Sequence, residues 1–376
     1  MSVFFMLQFQ EIFCAKAKYS CYIFVTFAFM KHVDYIIVGN GLAGIAFAEQ
    51  LRLHKKDFIV FDNQSQQSSR VAAGLYNPIV LKRFTSVWNA KRQLELAIPK
   101  YEALEKLLQV QLNYKLPIYR KFTSVEEQND WFAASDQPVL CDFLSTSLIK
   151  TNNPSLRAEF GFGEVLHSGR INTSQLIKSY SSFLDSENRL YKEEFHHNQL
   201  DIQQNSINYK MITAKHIVFA EGFGLKDNPF FRHLPLNGTK GEMLIIKTPE
   251  LNMDFILKSS VFIVPLENDL YWVGATYERE DKTHATTTKG KDELLEKLKK
   301  IITCNFEVVE QVAGIRPTTK DRRPLVGSHQ KHKNIHVLNG LGTRGVMMSP
   351  FVAEQLFYHI ENGDSLDKDI DIKRFS

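Results

Sequence analysis

The sequence predicts an α/β protein of two domains, and three observations lead to that prediction. A glycine-rich turn lies between two apolar runs near residue 40, a strand, glycine loop and helix pattern follows near residue 340, and 376 residues with 44% hydrophobic content can fill more than one core. The net charge of +4 is too small to indicate a nucleic-acid or membrane partner. The four cysteines form no CxxC pair, which favours free thiols and a cytoplasmic location.

The first 29 residues are apolar and aromatic but are interrupted by Glu11, Lys16 and Lys18. Their longest uncharged run, residues 19–30, is too short to span a bilayer. A positive region before the apolar run and a small-residue cleavage site, both typical of a signal peptide, are not visible. We therefore expect residues 1–29 to be an N-terminal extension outside the fold, either disordered or not native to the protein.

The stretch that begins VDYIIVGNGLAGIAFAEQL opens the first domain. Residues 33–38 form a continuous apolar run, which is typical of a buried strand. Residues 42–54 carry apolar side chains at helical spacing, and residues 57–61 form a second short strand. The pattern predicts one βαβ unit of about 30 residues.

Three glycines and one acid give this unit a predicted ligand. Gly39 allows a tight turn, Gly41 lets the backbone approach a pyrophosphate, and Gly44 lets the helix pack closely on the strand. Asp62 follows the second strand, where a carboxylate accepts hydrogen bonds from a ribose diol. The combination predicts a dinucleotide site, and the alternative is a glycine-rich turn without a ligand.

The segment SSRVAAGLYNPI, residues 68–79, follows that acid closely. It resembles the Ser/Thr-rich, Ala-Ala-Gly loop of the FAD-dependent D-amino-acid oxidase and glycine oxidase family. The resemblance extends from about residue 33 to about residue 361. It implies a Rossmann-like FAD-binding domain with a mixed-sheet substrate domain, and FAD bound noncovalently, because no cysteine lies beside GIRPTT and Cys304 is too far upstream.

The resemblance also implies which residues near the N-terminus contact FAD. Arg70 has two readings, a contact to the phosphates or a solvated loop charge. The expected contacts are Gly39, Gly41, Leu42, Ala43 and Gly44 in the turn, Asp62 and Asn63 at the ribose, and Ser68, Ser69, Arg70, Ala73, Gly74 and Leu75 in the following loop.

Two C-terminal segments carry the rest of the implied site. In AGIRPTTKDRRPLVG, Arg316 is expected to bind the substrate carboxylate, since a guanidinium can meet both oxygens and keeps its charge. The alternative is a structural ion pair with a loop carboxylate. The later loop is implied to close over the flavin ring through Leu341, Gly342, Thr343, Arg344, Gly345, Val346 and Met347.

The intervening chain predicts less. Lys240, Gly241, Tyr271, Thr276 and Tyr277 could point into a pocket. Tyrosine and threonine in strands more often pack within the sheet, so none of the five is assigned to the site. Phe195 falls where a backbone group meets the adenine in related proteins. The expected nucleotide domain comprises residues 30–86, 151–232 and 312–376, and the substrate domain comprises residues 87–150 and 233–311, with a long helix over residues 87–108 connecting them.

Two further patterns suggest surface features. His329, His332 and His336 have a spacing that a metal site could use, but lysines surround them, no carboxylate or thiol lies beside them and His336 falls inside a strand, so no metal is expected. Residues 289–302 have mixed charges at helical spacing and predict an amphipathic surface helix.

The implied activity is the oxidation of the C–N bond of an amino acid or secondary amine that bears a carboxylate, by hydride transfer to flavin N5, with Arg316 as the catalytic residue. The electron acceptor is open, with molecular oxygen as one candidate. GLGTRG and NPIVLKRF also resemble the flavin domain of the tRNA wobble-uridine modification enzymes, which implies as an alternative the removal of a carboxymethyl group from modified tRNA. A non-catalytic flavin-binding module is the second alternative.

Overall fold

The structure is a computed structural model that describes residues 30–375, so the expectation about residues 1–29 lies outside the described residues. The α-helices in residues 30–375 are α1 (Leu42–Leu53), α2 (Ala90–Leu108), α3 (Val125–Ser135), α4 (Thr173–Ser186), α5 (Thr288–Lys299) and α6 (Gly345–Asn362). The strands of this part of the chain are β1 (Lys31–Val38), β2 (Phe58–Phe61), β3 (Leu75–Tyr76), β4 (Ile79–Val80), β5 (Thr85–Ser86), β6 (Asn113–Tyr114), β7 (Ile118–Lys121), β8 (Phe162–Val165), β9 (Gly169–Ile171), β10 (Leu190–Tyr191), β11 (Leu200–Ile202), β12 (Ile207–Tyr209), β13 (Ile212–Phe219), β14 (Leu236–Lys247), β15 (Ile256–Lys258), β16 (Phe262–Pro265), β17 (Leu270–Gly274), β18 (Glu307–Thr319), β19 (Leu325–Ser328) and β20 (Ile335–Asn339).

An eight-stranded sheet holds the predicted βαβ unit. Strands β1 and β2 are parallel neighbours joined by α1, as the apolar runs indicate, and β13 and β20 continue the parallel arrangement on the other side of β1. Alternate residues of β1 enter two cores: Ile37 packs with the helices, and Ile36 packs with Phe195 and Tyr209 on the opposite face. The carboxyl ends of β1 and β2 meet at one edge, where a nucleotide site is expected in an open parallel sheet.

A seven-stranded sheet forms the second layer, in the order β18-β14-β17-β16-β15-β7-β8. It is mixed, because β15 and β7 are parallel while the other neighbours are antiparallel. Helix α5 packs on it through Leu294 and Leu298, which share a core with strand residues such as Leu244. The amphipathic pattern of residues 289–302 is therefore a helix that ends at Lys299.

The helix expected over residues 87–108 begins three residues later than predicted. Asn89 adopts a left-handed conformation with φ 49°, and Thr85 and Ser86 belong to the strand of a small hairpin, so regular helix starts at Ala90. Helix α1 ends at Leu53 instead of residue 54. These are end effects, and the predicted fold class, an α/β chain with a mixed second sheet, is confirmed.

The sheets do not separate at the expected domain boundaries. Strand β8 pairs with β7, and β18 runs through residue 312 while pairing with β14, so both belong to the second sheet. The division into domains stays a prediction, to be revised at these two strands. Across residues 30–375, no helix is long and apolar enough to cross a membrane.

Candidate functional site

The turn between β1 and α1 shows what each glycine does. Gly39 has φ +104°, and a Cβ there would lie 2.5 Å from the carbonyl oxygen of Ala220. A Cβ on Gly44 would lie 1.9 Å from the carbonyl oxygen of Gly39. Gly41 is different, because the nearest atom to its Cβ position is Ser69 Oγ at 3.3 Å. Gly39 and Gly44 are therefore required by close packing of the backbone. Gly41 faces the open side of the turn, where the missing side chain leaves room for a ligand.

That open side is the wall of a large cavity of about 500 Å³. Such a volume is ordinary for a ligand or cofactor site. The N-terminus of α1 has no side-chain cap at Gly41, and the Leu42 amide donates only a long hydrogen bond of 3.5 Å to Ser69 Oγ. Its first amides are therefore available to an anionic group.

Most of the predicted site residues line this one cavity. The exceptions are Gly44, Arg344 and Met347, which do not reach it. The lining members are Gly39, Gly41, Leu42, Ala43, Asp62, Asn63, Ser68, Ser69, Arg70, Ala73, Gly74, Leu75, Arg316, Leu341, Gly342, Thr343, Gly345 and Val346.

Asp62 lies at the end of β2 as the spacing predicts. Arg70 Nη2 is 3.5 Å from Asp62 Oδ2, so this arginine turns toward the acid and also lines the cavity. Burial raises the pKa of the Asp62 carboxyl, although Arg70 and the amides of Asn40 and Gln64 act in the opposite direction. A carboxylate can accept more hydrogen bonds than these, so Asp62 can also accept hydrogen bonds from a ligand.

The loop of residues 68–75 is held by β9 and the start of α4 on one side and by the second sheet on the other. Gly74 has φ +76°, and a Cβ there would lie 1.8 Å from the carbonyl oxygen of Ile171. Thr173 Oγ1 donates to the carbonyl of Ala72 at 3.1 Å, and Trp272 Nε1 donates to the carbonyl of Val71 at 3.1 Å. The loop backbone is fixed from two directions, and its small residues face the cavity.

The residues present fit FAD. Asn40 lines the cavity and is 2% exposed, and its Oδ1 has no hydrogen-bond partner although its Nδ2 donates to Ser181 Oγ at 2.9 Å. An orphaned buried acceptor beside a glycine turn is what a donor-bearing ligand would satisfy. Asp62 at the strand end suits a ribose diol, and Phe195 lines the same cavity where an adenine contact is expected.

Arg316 projects from β18 over the second sheet. A Cβ on Gly241 would lie 2.0 Å from Arg316 Nη2, so the guanidinium occupies the space that this glycine leaves. Its Nη1 donates a long hydrogen bond of 3.4 Å to the carbonyl of Thr276, and its Cζ is 6.0 Å from the centre of the Tyr277 ring.

The charge of Arg316 has no carboxylate partner within residues 30–375. Burial lowers its pKa, and the only opposing influence is the Tyr277 hydroxyl. The structural ion pair considered for this arginine is therefore absent from the described chain. An isolated cation in a cavity can bind the carboxylate of a ligand.

The loop of residues 341–347 divides between the cavity and the core. The Gly342 amide donates to the carbonyl of Pro317 at 3.0 Å, which ties the loop to the strand that carries Arg316. Met347 is completely buried, and Arg344 precedes α6 with its pKa lowered to about 10 by burial and by Arg322 nearby. Both belong to the support of the loop and do not line the cavity.

Several lining residues were not assigned from the sequence. Gly241, Thr276 and Tyr277 lie in the cavity, whereas Tyr271 does not and Lys240 is completely buried in an ion pair with Asp281 Oδ2 at 2.5 Å. Alternation along a strand links Gly241 to Met243 and Trp272 to Gly274, because residues two apart lie on the same face of the sheet. The additional lining residues of the second sheet are Met243, Lys258, Phe262, Trp272 and Gly274.

The histidines at 329, 332 and 336 do not form a metal site. His329 and His332 stack on each other with ring centres 5.1 Å apart, and His336 bonds to Ser328 Oγ at 2.8 Å inside the first sheet. No group of three or more metal-ligating side chains with suitable geometry occurs within residues 30–375.

Comparison with known proteins gives matches over nearly the whole described chain. The family described as DAO, FAD dependent oxidoreductase, matches residues 34–358. Glycine oxidase of Bacillus subtilis (strain 168) is 29% identical over 146 residues, 37% of this chain and 39% of that protein. The tRNA 5-methylaminomethyl-2-thiouridine biosynthesis bifunctional protein MnmC of Campylobacter jejuni (strain 81116) is 29% identical over 114 residues, 30% of this chain and 18% of that protein.

The matched segments therefore span less than half the length of these two relatives. A solved structure of glycine oxidase from Geobacillus kaustophilus superposes with a TM-score of 0.74 at 20% identity, covering 92% of this chain and 98% of the other. That likeness identifies the fold.

Proposed function

The chain belongs to the DAO family of FAD-dependent oxidoreductases, and on that premise we propose that it oxidises the carbon–nitrogen bond of an amino acid or secondary amine bearing a carboxylate. FAD held in the cavity would supply the acceptor for the hydride that leaves the carbon beside the nitrogen. The imine that results is hydrolysed by water. The protein's own contribution is to bind and orient the amine.

The observation that carries the proposal is Arg316. Its guanidinium lines the cavity, lies over Gly241 and has no carboxylate partner in residues 30–375, while its position on β18 is tied to the loop of residues 341–347 through Pro317. A carboxylate held there in a two-pronged contact would fix the amine in one orientation. Orientation of this kind supplies a large part of catalysis when no proton transfer by a side chain is needed.

One end of the cavity would bind the cofactor, and the other end would bind the substrate. The turn at Gly41, the Asp62 carboxylate and the loop of residues 68–75 would hold the nucleotide and the pyrophosphate of FAD. The second sheet, with Trp272, Phe262 and Met243, would cover the reacting end and exclude water.

The experiment is anaerobic reduction of the protein-bound flavin by a panel of amines. We expect bleaching of the flavin absorbance by amines that carry a carboxylate, and little by the matched decarboxylated amines. Protein that releases no flavin on denaturation, or a flavin that no amine of the panel reduces, would contradict the proposal; the second result would leave a flavin-binding module.

A second candidate function is the removal of a carboxymethyl group from modified wobble uridine in tRNA. It is supported by the match to MnmC and by two cations, Arg344 within the loop of residues 341–347 and Arg322 near it. The same chemistry would act on an amine whose carboxymethyl arm reaches Arg316. Mass analysis of nucleosides from tRNA incubated with the holoprotein would distinguish it, since only this function removes the arm from the nucleoside.

A further inference from the structure

The second sheet brings another cation to the cavity. Lys258 ends strand β15, lines the cavity, and places its Nζ 4.5 Å from the centre of the Phe262 ring. Burial lowers the pKa of its ammonium to about 8, and its electrostatic neighbours are the cations Arg120 and Lys297. Within residues 30–375 no carboxylate pairs with it, in contrast to Lys240, which is buried deeper and bound to Asp281.

The register of the sheet shows how Lys258 reaches the cavity. Lys258 lies opposite Phe262, Phe262 opposite Gly274, and Gly274 opposite Met243, on four consecutive strands. All four residues line the cavity. One row of the sheet therefore forms the floor of the cavity, with the ammonium at its end.

The two unpaired cations lean toward each other across this floor. The Arg316 guanidinium lies over Gly241 on the neighbouring strand β14, and the Lys258 ammonium lies over Phe262 on the neighbouring strand β16. Only β17 separates β14 from β16. The charges are then two strand spacings apart across the sheet, about 10 Å, and Gly241 lies two residues along β14 from Met243, which adds about 7 Å along the strand, so about 12 Å separates them. After an ion contact of about 2.8 Å at each end, about 6 Å is left for the ligand.

We propose that Lys258 is a specificity-determining residue that binds a second anionic group of the substrate, so that the preferred substrate is a short amine with two carboxylates. This inference rests on the proposed function, because it assumes that Arg316 binds the first carboxylate. The amine nitrogen of such a molecule would lie between its two anchored ends, beside the Met243 and Trp272 side chains that pack over Gly274.

A purely structural role for Lys258 would have different consequences. If its methylene stem only covered Phe262, methionine would replace it without a change in ligand preference. Lys121 provides the matched control, because it is also a half-buried strand lysine whose pKa is lowered by burial, and it does not line the cavity.

The test is calorimetric binding of two thioethers that cannot be oxidised as amines, thiodiglycolate with two carboxylates and (methylthio)acetate with one. We expect the holoprotein to prefer the dicarboxylate by about 10-fold or more. Lys258→Met should abolish the preference without weakening (methylthio)acetate, Lys258→Arg should keep most of it, and Lys121→Met should leave it unchanged. The preference should also fall as the pH rises through the pKa of Lys258, about 8.

Equal binding of both thioethers by the unmodified protein, an unchanged preference in Lys258→Met, or no binding of either thioether would overturn the inference. Each of these results leaves the proposed function intact if amines with one carboxylate still reduce the flavin. A flavin that is reduced by no carboxylate-bearing amine contradicts the proposed function instead, whatever the thioethers do. A protein that oxidises amines without a carboxylate equally well also contradicts it.

Discussion

The two ends of the cavity are built in different ways. The nucleotide end is formed mainly by the backbone of one continuous stretch of the chain. Gly39 and Gly74 allow close contact with neighbouring carbonyl groups, and Gly41 leaves room for a ligand. The substrate end comes from side chains on strands far apart in the sequence, with Arg316 on β18 and Lys258 on β15. The first end depends on the shape of the chain and the second on isolated charge, so they should fail differently when altered.

The largest effect is expected at the backbone-built end, from Gly74→Ala. A Cβ there would lie 1.8 Å from the backbone oxygen of Ile171 and would also be strained by φ +76°. We expect a loss of about 3 to 5 kcal/mol in the free energy of unfolding, measured by urea denaturation, with loss of bound FAD.

Gly363→Ala is the matched control for that change. Gly363 has φ +77° but nothing within 4 Å of its Cβ position, so the variant isolates backbone strain at about 1 kcal/mol. Equal losses in the two variants would show that the close approach of Ile171 contributes nothing.

The next effect tests the charge-built end. Arg316→Ala removes the unpaired guanidinium. We expect kcat/KM for a carboxylate-bearing amine to fall roughly 30-fold to 1000-fold, which corresponds to a loss of about 2 to 4 kcal/mol in transition-state stabilisation. FAD content should not change, because the residue lies over the second sheet. Arg316→Lys keeps a charge but loses the planar fork, so it should recover only part of the rate.

Selectivity provides the decisive control for Arg316. The variant should lose its preference for an amino acid over the matching decarboxylated amine. A variant that keeps full discrimination would make Arg316 a structural residue and would leave the family assignment untouched.

This contrast also explains what the sequence could predict. The turn at residues 39–44 and the acid at Asp62 follow one another within a βαβ unit, so local spacing was enough to predict the parallel strands and the acid at the strand end. Arg316 was found through its family segment. Lys258 was missed because it reaches the cavity only through a row of pairings with Phe262 and Gly274, and no local pattern contains that register.

Arg344 and Met347 show the opposite limit. Both fall inside a loop that the family resemblance assigns to the cofactor, yet one is packed beside α6 and the other is completely buried in the core. A motif predicts the path of the backbone, and the helical rotation that follows it decides which side chains face the ligand. Side-chain direction could not be inferred from the motif alone.

A third prediction concerns Asp62, an acid at the nucleotide end whose proposed role depends on its charge. Asp62→Ala should weaken the binding of FAD by about 1.5 to 3 kcal/mol, because charge-assisted hydrogen bonds to a ribose would be lost. The measurement is the dissociation constant of FAD for reconstituted protein. Asp62→Asn keeps the shape and should lose less, and binding of NAD(H) in place of FAD would contradict the assignment.

The smallest effect is expected away from the cavity, at two histidines within strands β13 and β20 of the first sheet. His336 Nε2 is 3.1 Å from His216 Nδ1, and His336 Nδ1 is 2.8 Å from Ser328 Oγ. Burial lowers the pKa of both imidazoles, and positive charges on His216 and His359 would lower the pKa of His336 further, whereas the Glu361 carboxylate opposes the effect at His216. The folded state therefore holds both rings neutral, whereas the unfolded chain protonates them near pH 6.5.

Because the folded pKa values are depressed, acid favours the unfolded chain, and stability should fall as the pH drops below about 6.5. Each histidine contributes up to about 1.4 kcal/mol per pH unit to this slope, measured by urea denaturation between about pH 5 and pH 8. His336→Asn should lower stability at the upper pH but flatten the slope, whereas His233→Asn, at an exposed position, should leave the slope unchanged. An equally steep slope in His336→Asn would place the acid sensitivity elsewhere. A flattened slope would assign the acid sensitivity to this pair, whose two rings must stay neutral inside the first sheet.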